Sequence, residues 1–305
     1  FNKLNTVKNT NLNNEERFLL HKKKLESKKM LKSCYSDFYE KILKIEEKYK
    51  FKKKNDLRLE LGSGVGFIKK FDKKIITSDV VYNKFTDKTI DANNIPYKNN
   101  KIDTIFGIFC FHHFRDPLNF LRDIEKKLKK GGLCILIEPY YGPLASIIYK
   151  KVHKTEYFNP NEVFNHKIKN KTAMEKANQA LSYIYFIRDK NKFYKKFPKL
   201  QIMHTSVFNN YLRFLFSGGL NFKKLLPDFL IFLVKIIEII LYPLKGIFGI
   251  HYIIVIKKIK KLNKNKKNKI AIIGQSQKFI TGVKKNYKNS KINIIPWRQV
   301  EFYIK

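Results

Sequence analysis

The chain has 305 residues and 44% hydrophobic content, which predicts a globular protein with one large core and excludes a wholly disordered chain. Lysine and arginine outnumber aspartate and glutamate by 64 to 25, for a formal net charge of +39. Because the lysines are spread along the whole chain, the charge by itself identifies no partner. We interpret it as solvated lysines of a biased composition, with a polyanion or a membrane surface as the alternative.

The three cysteines are widely spaced and form no C-x-x-C pair. This spacing argues against a disulfide framework and against a zinc site, so we expect no metal and a reducing cytoplasm. No signal-peptide pattern follows Phe1, and no apolar run reaches the roughly 20 residues that span a bilayer. We therefore predict a cytoplasmic protein whose reading frame is trimmed or incomplete.

The N-terminal part, residues 1–55, combines a polar tail over 1–13 with helical spacing of apolar residues from 14 to 49. Strands and helices then alternate, which predicts an α/β fold with a parallel sheet. The predicted strands are 57–61, 74–79, 102–109 and 133–138, and the predicted helices are 67–71 and 117–129.

Residues 140–200 show no regular period and are rich in aromatic residues and lysine, which is typical of an insertion that caps a binding site. Strands are predicted at 201–208 and 251–256, at the edge of the same sheet. The main domain is thus predicted to span 56–258. A basic linker over 259–269 leads to residues 270–305, which read either as the start of a truncated nucleotide-binding domain of βαβ type or as a hairpin or helix packing on the first domain.

The stretch "FLIFLVKIIEIILY" is a predicted helix within residues 225–242. Its 14 residues are too few to cross a bilayer, and Lys235 and Glu238 lie inside it. We predict a helix buried in the core, with a helix lying in the plane of a membrane as the alternative.

A glycine-rich turn follows the first predicted strand in the stretch "LELGSGVGF". Glycines in such a turn leave the main-chain N–H groups open to a ligand. The residues are Glu60, Gly62, Ser63, Gly64 and Gly66, and their E-x-G-x-G-x-G spacing differs from the G-x-G-x-x-G dinucleotide fingerprint. This spacing resembles the first motif of the class I S-adenosylmethionine-dependent methyltransferases, in particular their small-molecule, type 11-like branch.

The resemblance continues in order along residues 57–139 and implies roles for further residues. Asp79 in "IITSDV" would bind the cofactor ribose, and Asp91 with Ala92 in "TIDANNIPY" would meet the adenine. Cys110 and Phe111 lie in "FGIFCFHHFRDP", which matches the segment after the fourth strand. The resemblance implies a Rossmann-like, seven-stranded, mostly parallel sheet with helices on both faces, an N-terminal helical segment and an insertion after the fifth strand. It also implies that the glycines and Glu60 hold the methionine end of S-adenosylmethionine.

Candidate catalytic residues follow the fourth and fifth strands. His113 is the predicted general base if the acceptor is a hydroxyl, because histidine titrates near neutral pH. His112 and Glu138 are the next candidates, each with a structural role as the alternative. Cys110 lacks the preceding proline of the cytosine-carbon methyltransferases, so we interpret it as a buried apolar residue.

The insertion is similar to a bacterial methyltransferase subgroup of unassigned substrate found in surface-polysaccharide gene contexts. The predicted reaction is methyl transfer to oxygen or nitrogen of a small molecule or of a sugar in glycan assembly. Nucleic acid is a disfavoured partner, peripheral membrane contact is an option, and the oligomeric state is not predicted. The rival hypotheses are an RNA methyltransferase and a non-catalytic cofactor-binding module. The residues expected around the acceptor are Tyr140, His153, Glu156, Tyr157, Asn178, Gln179, Arg188 and Asp189, with an Arg188–Asp189 ion pair as the structural alternative.

Overall fold

The computed structural model describes residues 14–50, 55–151, 156–165, 177–259, 269–273 and 291–295, and the chain divides into the units Phe1–Ile259 and Lys260–Lys305. The helices are α1 (Asn14–Ser27), α2 (Lys29–Tyr49), α3 (Pro117–Lys127), α4 (Pro143–Lys151), α5 (Leu181–Tyr183), α6 (Lys190–Lys196), α7 (Tyr211–Ser217), α8 (Ile231–Ile240) and α9 (Lys245–Phe248). The strands are β1 (Arg58–Leu61), β2 (Ile76–Asp79), β3 (Lys88–Thr89), β4 (Ile102–Ile108), β5 (Leu128–Pro139), β6 (Leu200–Val207), β7 (His251–Lys258), β8 (Lys269–Ile273) and β9 (Lys291–Ile295).

The first unit is built on a seven-stranded sheet with the order β3-β2-β1-β4-β5-β7-β6. Strands β1 to β5 pair in parallel, and β7 is antiparallel to both β5 and β6. The predicted Rossmann-like, mostly parallel sheet is therefore confirmed. The strands that follow the insertion lie at the edge of this sheet, as the sequence predicts.

Helices cover both faces of the sheet. Every residue of β4 is buried, as expected for a parallel strand with a helical layer on each side. Leu31 and Ile42 of α2 share one core cluster with Phe106 of β4, whereas Leu121 of α3 shares the other cluster with Ile105. Neighbouring residues of the strand thus bury their side chains on opposite faces.

The carboxyl ends of the parallel strands meet at one edge of the sheet, which we call the carboxyl edge. The turns after β1, β2, β4 and β5 all lie there. Strand β6 has the same direction as β5, because each is antiparallel to β7, so β6 also ends at this edge. The fold therefore brings the sequence motifs and the start of the α7–α9 region to the same side of the sheet.

Residues 140–200 contain more regular structure than the sequence predicts. Helix α4 follows β5 directly, and α5 continues into a π-helix, Ile184–Arg188, before α6. The burial of Tyr185, Phe186 and Phe193 in the main core explains why no helical period is visible in the sequence. Apolar residues occur on nearly every side of this segment because it packs on several surfaces at once.

Helix α8 is where the structure contradicts the sequence prediction. Only Val234 and Glu238 of its ten residues are buried, so the predicted core helix is wrong. Hydrophobic residues on all sides of a short segment indicate burial only if another element covers the outer side, and none of the described residues does so here. No helix among the described ranges is both long enough and apolar enough to cross a bilayer.

The second unit contributes one described feature, the pair of strands β8 and β9. They pair in parallel with the register Lys269 to Lys291 through Ile273 to Ile295. A parallel pair needs a crossover connection, so these two strands do not form the hairpin that the sequence left open. The predicted βαβ-type unit over 270–305 stays a prediction, because residues 274–290 and 296–305 lie outside the described residues.

Candidate active site

The glycine turn after β1 has three residues in the left-handed region, with φ of +63° at Gly62, +54° at Gly64 and +63° at Gly66. A Cβ atom on Gly62 would lie 2.7 Å from the Cβ atom of Cys110. A Cβ atom on Gly64 would meet nothing within 4 Å. The turn therefore packs against the segment after β4 at Gly62 and leaves its main chain open at Gly64.

Glu60 lies in β1 just before this turn, with 1% of its surface exposed. Among the described residues, neither of its carboxylate oxygens has a hydrogen-bond partner. Burial raises the pKa of Glu60 to about 7, although the Ser63 and Tyr39 hydroxyls, which are close but outside hydrogen-bond geometry with the carboxylate, lower it. A buried carboxylate without a partner is costly for a fold and indicates a place for a ligand that donates hydrogen bonds.

Asp79 ends β2 beside the glycine turn and is partly buried. Its Oδ2 atom accepts a hydrogen bond of 3.0 Å from the Gly64 main-chain N–H, and its Oδ1 atom accepts one of 3.3 Å from that of Val81. Burial raises the pKa of this carboxyl group, whereas these N–H donors lower it. The carboxylate thus stands next to the open position of the turn, where it can accept further hydrogen bonds.

Asp91 and Ala92 follow β3 and differ in their surroundings. Asp91 is exposed, and its Oδ1 atom accepts hydrogen bonds from the main chain and side chain of Asn93. Ala92 is buried at 6% exposure within the main core. Of this predicted adenine-binding pair, only Asp91 therefore offers its side chain to a ligand.

The turn after β4 contains a strained residue that the sequence reading missed. Phe109 has φ of +53°, a conformation that costs a bulky residue about 1 kcal/mol or more. Its ring packs against the rings of Phe38 and His251 at centroid distances of 5.4 and 4.6 Å, and these contacts hold the conformation. A positive φ at a residue other than glycine leaves no sequence signal.

Cys110 and Phe111 follow Phe109 and are both buried. Burial raises the pKa of the Cys110 thiol well above its usual value, which agrees with the interpretation of Cys110 as an apolar packing residue. The ring of Phe111 packs in the main core against Phe186 at 5.0 Å between centroids. Neither side chain is open to a ligand, so a role of these residues in cofactor binding would fall to their main chain.

Glu138 near the end of β5 is fully buried and organises this turn. Its Oε1 atom accepts the main-chain N–H groups of Cys110 and Phe111 at 3.0 and 2.9 Å. Its Oε2 atom accepts from the main chain of His112 at 3.3 Å and pairs with His112 Nδ1 at 2.7 Å. With these donors around it, Glu138 acts as an anchor of the turn after β4, and the geometry favours the structural alternative over a catalytic role.

The ring of His112 lies between two carboxylates, those of Glu138 and Glu156. Burial lowers the pKa of His112, but the charges of Glu138 and Glu156 have the larger, opposite effect, so the pKa is raised to about 10. Glu156 Oε2 lies 3.5 Å from His112 Nε2, on the opposite side of the ring from Glu138. A histidine that is protonated near neutral pH has no free lone pair with which to accept a proton, so it cannot act as a general base. Its charge positions neighbouring groups instead.

We expect the stability of the protein to reflect this raised pKa. The contribution of the charged His112 is fully present below the unfolded pKa of about 6.5 and is lost as the pH rises through the folded pKa of about 10. The destabilisation caused by His112→Gln should therefore shrink by about 1 kcal/mol per pH unit between about pH 7 and pH 9. Urea unfolding of both proteins across this range measures the effect.

His204→Gln is the matched control for this measurement. His204 is partly exposed, and burial together with the charges of Lys41 and Lys48 lowers its pKa. Its effect on stability should therefore stay constant above about pH 7. An unchanged cost of His112→Gln from pH 7 to pH 9 would show that His112 is neutral in the folded protein.

His113 lies beside His112, with 4.2 Å between the ring centroids, and faces the same carboxylate. Its Nε2 atom is 3.7 Å from Glu156 Oε1, and Gln179 donates a hydrogen bond of 2.9 Å to Glu156 Oε2. The ligating atoms of His112, His113 and Glu156 lie within 4.8 Å of one another. Glu156 and Gln179 come from the insertion, which the structure thus brings onto the turn after β4.

The other residues predicted around the acceptor lie elsewhere in the insertion or are engaged in holding it together. Asn178 is buried and forms two hydrogen bonds with the main chain of Asn159. Arg188 donates to the main-chain oxygens of Pro160 and Glu162 and pairs with Asp189 at 2.6 Å. The two side chains thus form the ion pair that the sequence analysis gave as the structural alternative.

Tyr157 is half-buried and forms an isolated bridge with Asn178, and burial raises the pKa of its hydroxyl to about 12. Tyr140 packs against Tyr252 at 5.7 Å between ring centroids. His153 lies outside the described residues. Next to Tyr140, the ring of Tyr141 contacts Tyr183 at 4.2 Å and Phe158 at 5.7 Å, an aromatic group that the sequence reading did not single out.

Comparison with known proteins places this site in a family. A family model described as a methyltransferase domain matches residues 59–136, the span that runs from β1 through most of β5 and contains the glycine turn and both histidines. The chain contains a class I S-adenosylmethionine-dependent methyltransferase domain. It is an enzyme that transfers a methyl group from S-adenosylmethionine. The predicted class I family, the fold and the cofactor are confirmed, whereas the bacterial subgroup suggested by the insertion stays a prediction. No curated protein matches the chain at a significant level.

Solved structures with a similar fold include three methyltransferase structures. One is a complex of the Haloferax volcanii Trm112 methyltransferase activator with a methyltransferase, at 11% identity and a TM-score of 0.44 over 80% of this chain and 99% of that chain. Another is geranyl diphosphate C-methyltransferase from Streptomyces coelicolor A3(2), at 9% identity and a TM-score of 0.42 over 75% of this chain and 78% of that chain. The third is Haemonchus contortus phosphoethanolamine N-methyltransferase 2, at 14% identity and a TM-score of 0.40 over 72% of this chain and 52% of that chain. None of the three identifies the acceptor of this methyltransferase.

The residues present in the methyltransferase fit its cofactor. The two unpartnered oxygens of Glu60 suit an ammonium group, and the open side of Gly64 gives a ligand access to main-chain N–H groups. The Asp79 carboxylate beside them suits a pair of ribose hydroxyls. The three groups belong to neighbouring turns of the carboxyl edge, where ligands bind in open α/β sheets.

Proposed function

We propose that this methyltransferase acts on an oxygen or nitrogen atom of a small molecule or of a sugar in surface-polysaccharide assembly, in the cytoplasm. The observation that carries the proposal is the contact of Glu156, from the insertion, with the two histidines after β4. A polar group assembled from an insertion and a cofactor-binding edge is suited to a small polar acceptor. The three free cysteines agree with a reducing compartment.

The cofactor supplies a methyl group that is already activated by its sulfonium. The chain therefore has to bind and orient the reactants and to exclude water. In this proposal Glu60 and the turn at Gly62 to Gly66 bind the amino-acid end, and Asp79 binds the ribose. Asp91 is the remaining candidate for the adenine.

His113 is the proposed general base for a hydroxyl acceptor. The Glu156 carboxylate lies 3.7 Å from His113 Nε2 and would stabilise the positive charge that the ring gains with the proton. His112 is already charged, so it keeps Glu156 in place instead of taking the proton. Glu138 in turn holds His112 and the turn that presents His113. In this proposal Glu138 and His112 are positioning residues.

Calorimetric titration with S-adenosylmethionine and S-adenosylhomocysteine tests the cofactor assignment. We expect Asp79→Ala to weaken the binding of both ligands about 10- to 100-fold, because a carboxylate that accepts hydrogen bonds from two hydroxyls is lost. Asp87→Ala is the matched control, since Asp87 also caps main chain near β2, where it accepts from Thr77 at 2.8 Å. It should lower stability and leave the affinity unchanged.

The outcomes of this titration separate the competing hypotheses. Equal affinities of wild type and Asp79→Ala would contradict the ribose-binding role of Asp79. A folded wild-type chain that binds neither ligand would contradict the proposal as a whole. Binding without S-adenosylhomocysteine formation across a panel of hydroxyl and amine acceptors would favour the non-catalytic module.

A further inference from the structure

An apolar surface covers the outer side of α8 and the chain around it. Its members are more than half exposed, from 52% at Leu225 and Leu233 to 79% at Phe229. We call them the α8 surface, and they are Leu225, Phe229, Phe232, Leu233, Ile239 and Ile240. So many exposed large apolar side chains within one short segment exceed what an isolated globular surface shows and mark an interaction site.

The inner side of α8 fixes this orientation. Glu238 is buried and accepts hydrogen bonds from the Arg213 main chain at 2.9 Å and from Arg213 Nε at 2.6 Å. Arg213 also contacts Asp37 of α2 at 2.7 Å, and Asn209 donates to the main-chain oxygen of Glu238. This buried ion pair ties α8 to α7 and α2, so the outward position of its apolar residues is a stable feature of the fold.

The unpaired exposed charges around the α8 surface are basic. Residues 223–248 contain four lysines and two carboxylates. One carboxylate, Asp228, pairs with Lys224 at 2.9 Å, and the other is the buried Glu238. Lys223 and Lys235 are exposed beside the apolar side chains. The segment therefore offers apolar groups together with positive charge and no exposed unpaired carboxylate.

We propose that the α8 surface docks on an anionic lipid bilayer, with α8 lying in the plane of the headgroups. Apolar side chains would enter the acyl boundary, while the lysines face acidic headgroups. The ten residues of α8 extend about 15 Å, which suits an in-plane helix and not a span. A second copy of the chain fits less well, because each copy carries a formal charge of +39.

This inference goes beyond the proposed function, because it depends on the α8 surface and not on the reaction. Asn209, two residues after the end of β6 at the carboxyl edge, donates to the main-chain oxygen of Glu238 in α8, so α8 lies near the edge that holds the candidate active site. A chain docked through α8 would therefore carry the active-site edge of the sheet on the side of the membrane. An acceptor attached to a lipid could then be reached without leaving the bilayer.

Vesicle co-sedimentation of the full chain tests the proposal. We expect the wild type to bind vesicles containing about one-third phosphatidylglycerol in phosphatidylcholine, and to bind pure phosphatidylcholine vesicles and high-salt samples more weakly. Phe232→Gln/Ile239→Gln should weaken the binding about tenfold or more per substitution, because both side chains would lose their burial in lipid. Both are more than 70% exposed, so these changes remove little packing.

Two further variants keep the test decisive. Phe229→Gln/Ile240→Gln changes a separate pair of the same surface and should have a similar effect, which guards against misfolding of the first variant. Met203→Gln replaces an apolar residue within β6 that is 36% exposed and lies outside the α8 surface, and should leave binding unchanged. Circular dichroism confirms that each variant is folded.

Failure of the proposal has clear signatures. Absence of vesicle binding by the wild type would overturn it, as would equal binding by the wild type and both α8 variants. A wild-type dimer in sedimentation equilibrium that becomes a monomer in both variants, without vesicle binding, would identify a second copy as the occupant. Because no cofactor or acceptor enters these assays, failure of the proposed methyl transfer would leave their result unaffected.

Discussion

Gly64→Ala is expected to abolish tight binding of S-adenosylmethionine while leaving the protein folded. Gly64 has φ of +54°, and an added Cβ atom would meet no protein atom within 4 Å. The methyl group would instead occupy the open side of the turn, where we place the cofactor. We expect the affinity to fall about 10- to 100-fold in calorimetric titration, and the free energy of unfolding to fall by only about 1 kcal/mol because of backbone strain.

Gly131→Ala separates these two effects. Gly131 has φ of +81°, and an added Cβ atom there also meets nothing within 4 Å. It lies near the start of β5, at the end of the sheet opposite the carboxyl edge. This variant should show a similar loss of stability and unchanged cofactor affinity. Equal affinities of the two variants would mean that the glycine turn does not contact the cofactor.

Arg58→Met is expected to cause the largest loss of stability. Arg58 is 5% exposed at the start of β1, and its guanidinium donates to the fully buried Glu46 carboxylate at 3.0 and 2.5 Å. It also pairs with Asp72. Removing the cation leaves the charge of Glu46 buried without its partner, which costs about 3 to 5 kcal/mol. The free energy of unfolding in urea measures this loss.

Two companion variants identify the cause. Arg58→Met/Glu46→Leu removes both buried charges and should recover most of the loss, because an apolar pair of similar volume replaces the ion pair. Lys44→Met breaks an exposed pair with Glu40, 4.0 Å apart on the same helix, and should change stability by less than about 0.5 kcal/mol. If the double variant is no more stable than Arg58→Met, lost packing and not the buried charge causes the effect.

The sheet and the part of the site proposed to bind the cofactor could be predicted from the sequence. Buried parallel strands appear as short apolar runs, and their carboxyl ends carry their own signals, such as the glycines after β1 and Asp79 at the end of β2. These signals are local, because each depends on a few consecutive residues and on the common direction of parallel strands. The number of strands, seven, came from the family resemblance, and the observed sheet has that number.

The acceptor side was only partly predictable. The sequence singled out His113 and Glu156 in separate groups, but nothing in it shows that the two side chains meet, because α3, β5 and α4 separate them along the chain. The protonation of His112 depends on carboxylates 26 and 44 residues further along the chain, by their numbering. The role of Glu138 as an anchor follows from its four donors, which are main-chain and ring nitrogens that the fold brings around it.

The sequence by itself determined the family, the sheet and the turns that we propose bind the cofactor, because strand periodicity and glycine spacing are properties of neighbouring residues. Only the tertiary structure decided that Phe109 is strained, that Glu156 reaches the histidines and that the apolar residues of α8 point outward. The hydrophobicity of the sequence indicates which side chains avoid water, but the packing of other elements determines which of these side chains are covered. In α8 the buried Glu238 and its partner Arg213 set that orientation, and a long-range ion pair leaves no periodic signal in a sequence.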